Sequence, residues 1–421
     1  MEFIPALFIC LSIAYILSWA YRKIGLPHIL GHLTTGLIIS IPAISKYLFQ
    51  TESSLEVFSS LANLGLIFLL FFIGLKIDLT NLLKFSKRSM NIAFLSAMVP
   101  FGTGYLCGIF LGMDFVGSLI LGAALSVTAE AVSGAILQEL NLMNTKVGLI
   151  IIEAGIIDDV FEILMLAAIG TVIQSQPMSS GSGIGGFGNI MADVIVFIAL
   201  IYIVRFIFIP TTFKLLGKDP SHSELFTASF IIVLLMAAIS NFLELGTIIG
   251  ALIAGVIVKQ TLMKEHRKKE EANVVDMVET ITFGFLEPIF FIWIAYTADF
   301  FGNVSNSPSF LLMVFFITAV ATGGKILGSV IGNVLDKGTI REGILIGWGM
   351  NARGAVELIA IKMAYDYGLL VSSSLPAIQA EIFAQAIYAS VVLMAFITTI
   401  TSPIIFKLLA KYQFKELQQI S

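Results

Sequence analysis

Four acidic residues, Glu153, Asp158, Asp159 and Glu162, lie within the otherwise apolar stretch Gly148–Gly170. The stretch is long enough to cross a bilayer as a helix, and one charge near the middle of such a helix costs roughly 3 kcal/mol. Asp158 and Asp159 are adjacent, so their side chains point about 100° apart and can share one cavity. We predict that these two carboxylates bind a cation or a proton in that cavity. A purely structural pairing or capping role is the less favoured alternative.

Oxygen atoms are the ligands that a hard cation such as sodium prefers. Asp158, Asp159 and Thr128 offer carboxylate and hydroxyl oxygens, and an interrupted helix would add backbone carbonyls. Proton and sodium would then compete for one site. Moving an unneutralised buried charge is costly, so the part of the protein that contains the acids would move only when they bind a proton or a cation. Competition of this kind would exchange the two ions across the membrane, which is antiport.

The composition decides the class of protein that must hold these acids. Of 421 residues, 57% are hydrophobic and only 12% are charged, and the mean hydropathy is +0.97. These values exclude a soluble protein and indicate a polytopic membrane protein in contact with lipid. Cys10 and Cys107 both lie in apolar segments, so neither a disulfide framework nor a cysteine metal site is expected. We expect no cofactor and no nucleic-acid partner.

Apolar runs of about 20 residues, separated by charges or by Gly, Pro and Ser, predict thirteen membrane-spanning helices. They lie near 3–21, 27–45, 58–77, 89–112, 116–138, 147–173, 190–210, 223–243, 246–263, 274–298, 309–333, 342–364 and 381–408. With the N terminus outside, nearly all loop lysines and arginines fall on one side, with Lys46 and Lys362 on the other. The positive-inside rule then predicts an outside N terminus and a cytoplasmic C terminus, in a plasma membrane of the bacterial type.

Thirteen spans divide into six, one and six, and the two sets of six would have opposite orientations, as in inverted repeats. Under this pairing the fifth span, LGAALSVTAEAVSGAIL, matches the twelfth, LIGWGMNARGAVELIAI, and both carry polar residues and glycine at mid-depth. We therefore predict two crossing broken helices. Glu130 and Arg353 lie at the two breaks, and neutralising the exposed helix ends is favoured over direct ion ligation for both.

Several segments resemble, in order, the motifs of one known family. They are RKIGLPHILGHLTTGLIIS at 22–40, LANLGLIFLLFFIGLKIDL at 61–79, AGIIDDV at 154–160, GALIAGVIV at 250–258, EPIFFIWIA at 287–295 and GMNARGAVELI at 349–359. On these residues the chain resembles the monovalent cation:proton antiporter-2 family and, within it, the electrogenic members with an Asp-Asp motif. The resemblance covers nearly the whole membrane region.

This resemblance implies an elevator-like antiporter that forms a homodimer. It divides the chain into dimerisation and core domains joined by a linker helix. The dimerisation domain would comprise 1–88 and 223–300, the core ion-transport domain 89–189 and 301–421, and the linker helix 190–222. By the same resemblance, Asp159 is the main cation ligand and proton carrier, and Lys325 pairs with Asp158.

Three acids depart from the family pattern. Glu130 stands where Ser or Thr is common, and Glu153 and Glu162 stand where small residues are usual. For Glu153 the structural alternative is a pair with Arg353 or another core cation, and for Glu162 it is a position facing an aqueous funnel. For both residues a direct part in transport is an equally favoured hypothesis. We predict that four charged residues compensate helix dipoles or supply a secondary charge beside the site, namely Glu130, Arg353, Glu153 and Glu357.

The favoured function is electrogenic sodium/proton exchange, and potassium/proton exchange on the same fold stays open. A sodium-coupled solute symporter and a sensor derived from a transporter are less favoured alternatives. An intramembrane aspartyl protease also needs two acids, but they must flank a peptide bond from different helices, and Asp158 and Asp159 share one helix. We therefore do not expect an enzyme.

Overall fold

The computed structural model describes most of the chain. The described residues are 3–50, 52–76, 86–129, 133–134, 137–138, 140, 142–143, 145–174, 200–209, 211, 221–243, 247–264, 268–301, 308–372 and 374–418. All regular elements in these ranges are helices, and none of these residues forms a strand. The prediction of an all-helical chain is confirmed for this part.

Fifteen α-helices lie in the described ranges. They are α1 (Phe3–Lys23), α2 (Ile29–Ile39), α3 (Pro42–Leu48), α4 (Glu52–Lys76), α5 (Lys87–Phe110), α6 (Phe115–Ser126), α7 (Lys146–Gln174), α8 (His222–Phe242), α9 (Thr247–Lys264), α10 (Lys268–Ile281), α11 (Glu287–Thr297), α12 (Pro308–Leu335), α13 (Ile340–Gly349), α14 (Ala355–Asp366) and α15 (Ala377–Gln418). Two π-helical turns, Val204–Phe208 and Thr282–Leu286, complete the set, and the second joins α10 to α11.

Seven helical segments among the described residues are long and apolar enough to cross a membrane. Counting α2 with α3 as one bent span raises the number to eight. This result supports a multi-pass membrane protein. The thirteen spans and the inverted repeats stay predictions, and residues 190–199 of the predicted linker helix lie outside the described ranges.

The second predicted span, 27–45, is not one continuous helix. The chain instead forms α2 and α3, whose axes differ by 92°. The physical reason is Pro42, because the residue before a proline is driven toward an extended backbone and Ile41 has φ −61° and ψ 123°. A helix therefore ends before Pro42, and a new one begins with the proline in its first turn.

The described helices group into two compact units. The first contains described residues within Met1–Gln50, Thr80–Met165 and Ile292–Ser421, and the second those within Thr51–Leu79 and Leu166–Phe291. In the second unit, Gly74 of α4 and Gly255 of α9 lie against each other's helices, where a Cβ on Gly255 would stand 2.3 Å from the carbonyl oxygen of Phe71. The predicted division into dimerisation and core domains stays a prediction.

In the first unit, small residues let α5 and α12 approach closely. Gly324, Gly328 and Gly332 recur every four residues, so they share one face of α12. A Cβ on Gly328 would stand 2.3 Å from the carbonyl oxygen of Leu95, which leaves no room for a side chain. This close packing of small residues is typical of helices in membranes, and it fixes the position of α12 beside α5.

Candidate functional site

Asp158 lies on α7 and is fully buried in the first unit. Its Oδ2 atom lies 2.7 Å from the Nζ atom of Lys325 and accepts a hydrogen bond of 2.7 Å from the hydroxyl of Thr128. Its Oδ1 atom has no hydrogen-bond partner among the described residues. The structure thus brings a lysine of α12 and a hydroxyl from the non-helical segment after α6 to one oxygen of this carboxylate, and the described residues leave its other oxygen without a hydrogen bond.

Lys325 brings α12 into this site. Its side chain is fully buried, and Nζ donates to Asp158 and, at 2.8 Å, to the carbonyl oxygen of Ser126. Ser126 is the last residue of α6, where backbone carbonyls lack the partners of a continuing helix and carry partial negative charge. The lysine therefore satisfies one acid and one helix end together.

Two non-helical segments lie near Lys325, one after α6 and one between α13 and α14. Val127 is extended, with φ −63° and ψ 149°, and the N–H of Ala129 donates to the carbonyl oxygen of Ala352 at 2.8 Å. Ala352 belongs to the non-helical segment 351–354 between α13 and α14. Two interrupted segments thus meet through a backbone hydrogen bond, while residues 130–132 lie outside the described ranges.

Arg353 is buried at this meeting point. Its guanidinium donates to the carbonyl oxygen of Val127 and, at 3.4 Å, to that of Ala321. Its backbone exchanges two hydrogen bonds with the Thr399 hydroxyl on α15, at 3.3 Å and 2.7 Å. A buried positive charge thus lies against the carbonyl of Val127, the residue that caps the C terminus of α6, which is the geometry that dipole compensation requires.

Two further buried side chains beside the break contain oxygens without hydrogen bonds. Asn351 donates to the hydroxyl of Thr322 at 3.5 Å, but its own carbonyl oxygen has no partner among the described residues. Glu357, in the first turn of α14, is fully buried, and neither of its carboxylate oxygens has one either. Buried polar atoms without a hydrogen bond are uncommon in proteins, and these belong to the segment that contains Arg353 and to the first turn of the helix after it.

Glu153 has partners that differ from the expected core cation. Its carboxylate accepts hydrogen bonds from the N–H of Ser86 at 3.2 Å and from the hydroxyl of Ser89 at 2.7 Å. Both serines lie at the N terminus of α5, where unpaired N–H groups and the helix dipole favour a negative charge. A carboxylate at this helix end needs no cation beside it.

The sequence did not indicate a second polar cluster, which lies where α5, α12 and α13 begin or end. Arg88 donates to Asn333 at 2.9 Å and pairs with Glu342 at 2.7 Å. Glu342 and Thr339 form a capping box at the start of α13. The Thr-x-x-Glu spacing of residues 339–342 was the signal that would have found the cap, whereas the Arg88 contacts join residues far apart in sequence.

Several predicted site residues lie outside what is described. The backbones of Asp159 and Glu162 belong to α7, but their side chains are not among the described parts, and Glu130 lies in the gap 130–132. The described part of the site therefore consists of Asp158, Lys325 and Thr128, with Arg353 and Glu357 on the neighbouring segments. It contains a buried carboxylate that is paired with a lysine through one oxygen, while its other oxygen has no hydrogen-bond partner among the described residues.

Comparison with known proteins identifies the family. A family model described as "Sodium/hydrogen exchanger, transmembrane" matches residues 8–411. This chain belongs to that family. Its members are transporters, so the prediction that the protein is not an enzyme is confirmed.

Relatives of similar length match nearly end to end. A "Na(+)/H(+) antiporter" of Enterococcus hirae is 26% identical over 411 residues, covering 98% of this chain and 99% of its own. The "Na(+)/H(+)-K(+) antiporter GerN" of Bacillus cereus is 27% identical over 381 residues, covering 90% of this chain and 89% of its own. Sequence similarity therefore extends across both units.

A solved structure shares the fold. The sodium proton antiporter MjNhaP1 from Methanocaldococcus jannaschii superposes with a TM-score of 0.70 at 16% identity, covering 97% of this chain and 99% of its own. Membership of the sodium/hydrogen exchanger family, its antiporter fold and its transmembrane character are thus established for this chain.

Proposed function

We propose that the protein exchanges a monovalent cation for protons across a membrane, and that sodium is its main cation. The observation that carries the proposal is the buried Lys325–Asp158 pair, with its N···O distance of 2.7 Å and with an Asp158 Oδ1 that makes no hydrogen bond with the described residues. A buried ion pair is a poor source of stability, because desolvation offsets its attraction. It suits an exchange site, where an incoming cation takes the place of the lysine.

The exchange follows from competition for the acids. Asp159, next to Asp158 on α7, is the proposed main ligand and proton carrier, and Thr128 adds a hydroxyl oxygen. Sodium entering from one side displaces protons, and protons entering from the other displace sodium. Because an unneutralised acid is costly to move, only a loaded carrier crosses, by an elevator-like movement of the core domain.

The proposed stoichiometry is two protons for each sodium ion, because the ion displaces both a proton and the lysine from the acids. When sodium enters, the lysine leaves Asp158 and one proton more than the ion's charge is released. One net charge then moves in each cycle, so a potential of 100 mV contributes about 2.3 kcal/mol. Homodimerisation belongs to the same proposal.

Potassium is the second candidate cation. A Bacillus cereus relative that matches 90% of this chain is named a "Na(+)/H(+)-K(+) antiporter", and this name supports potassium as the alternative cation. Carboxylate, hydroxyl and carbonyl oxygens accept either ion.

Purified protein in liposomes tests the proposal. Proton movement is measured while each alkali cation is titrated under a clamped membrane potential. We expect sodium to drive proton movement with a rate that responds to the potential. Absence of proton movement with every cation would reject antiport, and exchange that ignores the potential would reject only its electrogenic form.

The proposed orientation places the N terminus outside and the C terminus in the cytoplasm. Single cysteines at Ser53 and Lys411, in a background without Cys10 and Cys107, are exposed to an impermeant thiol reagent in intact cells. We expect labelling at 53 and protection at 411. Labelling of both from the same side rejects the thirteen-span arrangement.

A further inference from the structure

Glu357 is a buried acid that the exchange scheme above does not use. It lies in the first turn of α14, and neither carboxylate oxygen makes a hydrogen bond with the described residues. A buried polar group without a partner destabilises the protein, and an ionised one does so more. A purely structural acid would be expected to have partners, so Glu357 calls for another explanation.

The segment 351–354, which precedes α14, lies beside α12 close to Lys325. Asn351 donates to the hydroxyl of Thr322 and Arg353 to the carbonyl oxygen of Ala321, each one turn before Lys325. Glu357 lies in the first turn of the helix that follows this segment. Arg353 donates to the carbonyl oxygens of Val127 and Ala321, and its backbone is hydrogen-bonded to Thr399. Lys325 is the cation that the proposed exchange displaces.

Displacement creates a problem of charge. Once sodium has taken the place of Lys325 at Asp158, a buried ammonium group loses a carboxylate partner, which is destabilising. Glu357 follows Arg353 in the first turn of α14, and its oxygens make no hydrogen bond with the described residues, so it can reduce this cost when the ammonium group moves to it.

Resting on the proposed exchange, we propose that Glu357 is the alternate partner of Lys325, which receives the ammonium group when a cation occupies Asp158. While Lys325 holds Asp158, Glu357 keeps its proton, because its carboxyl group is fully buried away from water. When the lysine arrives, the O–H bond of Glu357 breaks and the proton leaves for solution. This proton is the second one of each exchange cycle. Glu357 is thus a positioning residue that acts through Lys325.

The test uses purified full-length protein in detergent, with melting temperature measured as sodium chloride is titrated against choline chloride. Glu357→Gln replaces the neutral acid by a neutral amide, so the sodium-free melting temperature should stay at the wild-type value. Apparent sodium affinity should fall roughly tenfold or more, because the displaced lysine has no new partner. The same loss should appear in the sodium dependence of proton movement in liposomes.

Three further variants isolate the cause. In a Lys325→Gln background the change at Glu357 should have little effect on sodium affinity, because no ammonium group needs a partner. Glu357→Asp, which keeps a carboxyl group, should recover part of the affinity, and it also serves if Lys325→Gln does not fold. Glu342→Gln, which removes a structural acid of the neighbouring helix α13, should lower the sodium-free melting temperature and leave sodium affinity unchanged.

Three results would overturn the assignment: wild-type sodium affinity in Glu357→Gln, an equal loss with and without Lys325, or no recovery by aspartate. If the wild type exchanges sodium for protons while any of these holds, only the role of Glu357 fails. If the wild type moves no protons with any cation, the proposed exchange fails, and this inference fails with it.

Discussion

Two ion pairs in the first unit have the same N···O distance of 2.7 Å but very different surroundings. The pair of Arg88 and Glu342 joins α5 to α13, and its side chains keep 13% and 30% of their surface exposed. The pair of Lys325 and Asp158 joins α12 to α7 and keeps 0% and 1%. Exposure of the first pair to solvent keeps its energetic contribution small.

The hydrogen bonds of the two pairs differ as well. Arg88 also binds Asn333, and Glu342 caps the backbone of α13, so each member of that pair has other partners. Around Lys325, oxygens of Asp158, Asn351 and Glu357 have no partner among the described residues. The exposed pair joins helix ends, whereas the buried pair lies beside carboxylate and amide oxygens that make no hydrogen bond with the described residues. The proposed exchange requires such oxygens, because an incoming cation needs ligands.

The largest effect is expected from the acid beside the buried pair. Asp159→Asn should abolish exchange while the protein still folds, because an amide keeps the shape of the side chain but cannot carry a proton or supply an anionic ligand. Proton movement in liposomes measures this. The matched change Asp366→Asn alters an acid that pairs with Lys362 within α14, and it should leave exchange intact. Full turnover by Asp159→Asn would remove that acid from the proposed site.

Removing the buried cation should also have a large effect. Lys325→Gln leaves Asp158 as a buried acid without its ion partner, which should lower the free energy of unfolding by about 3–5 kcal/mol. The surviving exchange should become one-for-one and insensitive to potential. Thermal melting and potential-clamped liposomes measure the two effects.

The matched control is Lys362→Gln, because Lys362 pairs with the half-exposed Asp366 on the same helix. It should cost no more than about 0.5 kcal/mol and leave the response to potential unchanged. If Lys325→Gln kept the wild-type response to potential, the buried pair would have no part in the electrogenic step.

A smaller effect is expected at Glu130. If this acid compensates helix ends at the first break, Glu130→Gln should cost about 1–2 kcal/mol and lower the exchange rate, with the ratio of sodium to potassium affinity unchanged. Both affinities are measured in the variant and in wild type. A large change in the ratio would instead make Glu130 a ligand.

The residues of the buried site were largely accessible from the sequence. Acids inside an apolar segment are costly in a membrane, so their presence singled out Asp158, whereas the pairing of Lys325 with Asp158 was predicted from the resemblance to the antiporter-2 family. Glycine and polar residues at mid-depth likewise indicated the interruption that the structure places at 351–354, between α13 and α14. The sequence reveals these sites because charged residues, polar residues and glycine at mid-depth are unfavourable in a helix that faces lipid.

Other features depend on long-range contacts and were not predictable. The partners of Glu153 are 67 and 64 residues away, and Arg88 reaches Asn333 across 245 residues. The open oxygens of Glu357 also follow from packing, since its sequence position shows only a helix start. The 92° bend between α2 and α3 was missed, although Pro42 gave the local signal.

The smallest effect is expected at the exposed pair. In Glu342→Gln the amide at the third helical position still serves the capping box with Thr339, and Arg88 keeps its hydrogen bond with Asn333. Only the partly exposed ion pair is lost, so the free energy of unfolding should fall by about 0.5–1 kcal/mol. Added salt should reduce this difference, because it screens an exposed pair more than a buried one. Thermal melting of the variant and wild type at low and high choline chloride measures the effect. A loss as large as that of Lys325→Gln would mean that the two ion pairs carry similar energy despite their different exposure, and the contrast between them would no longer hold.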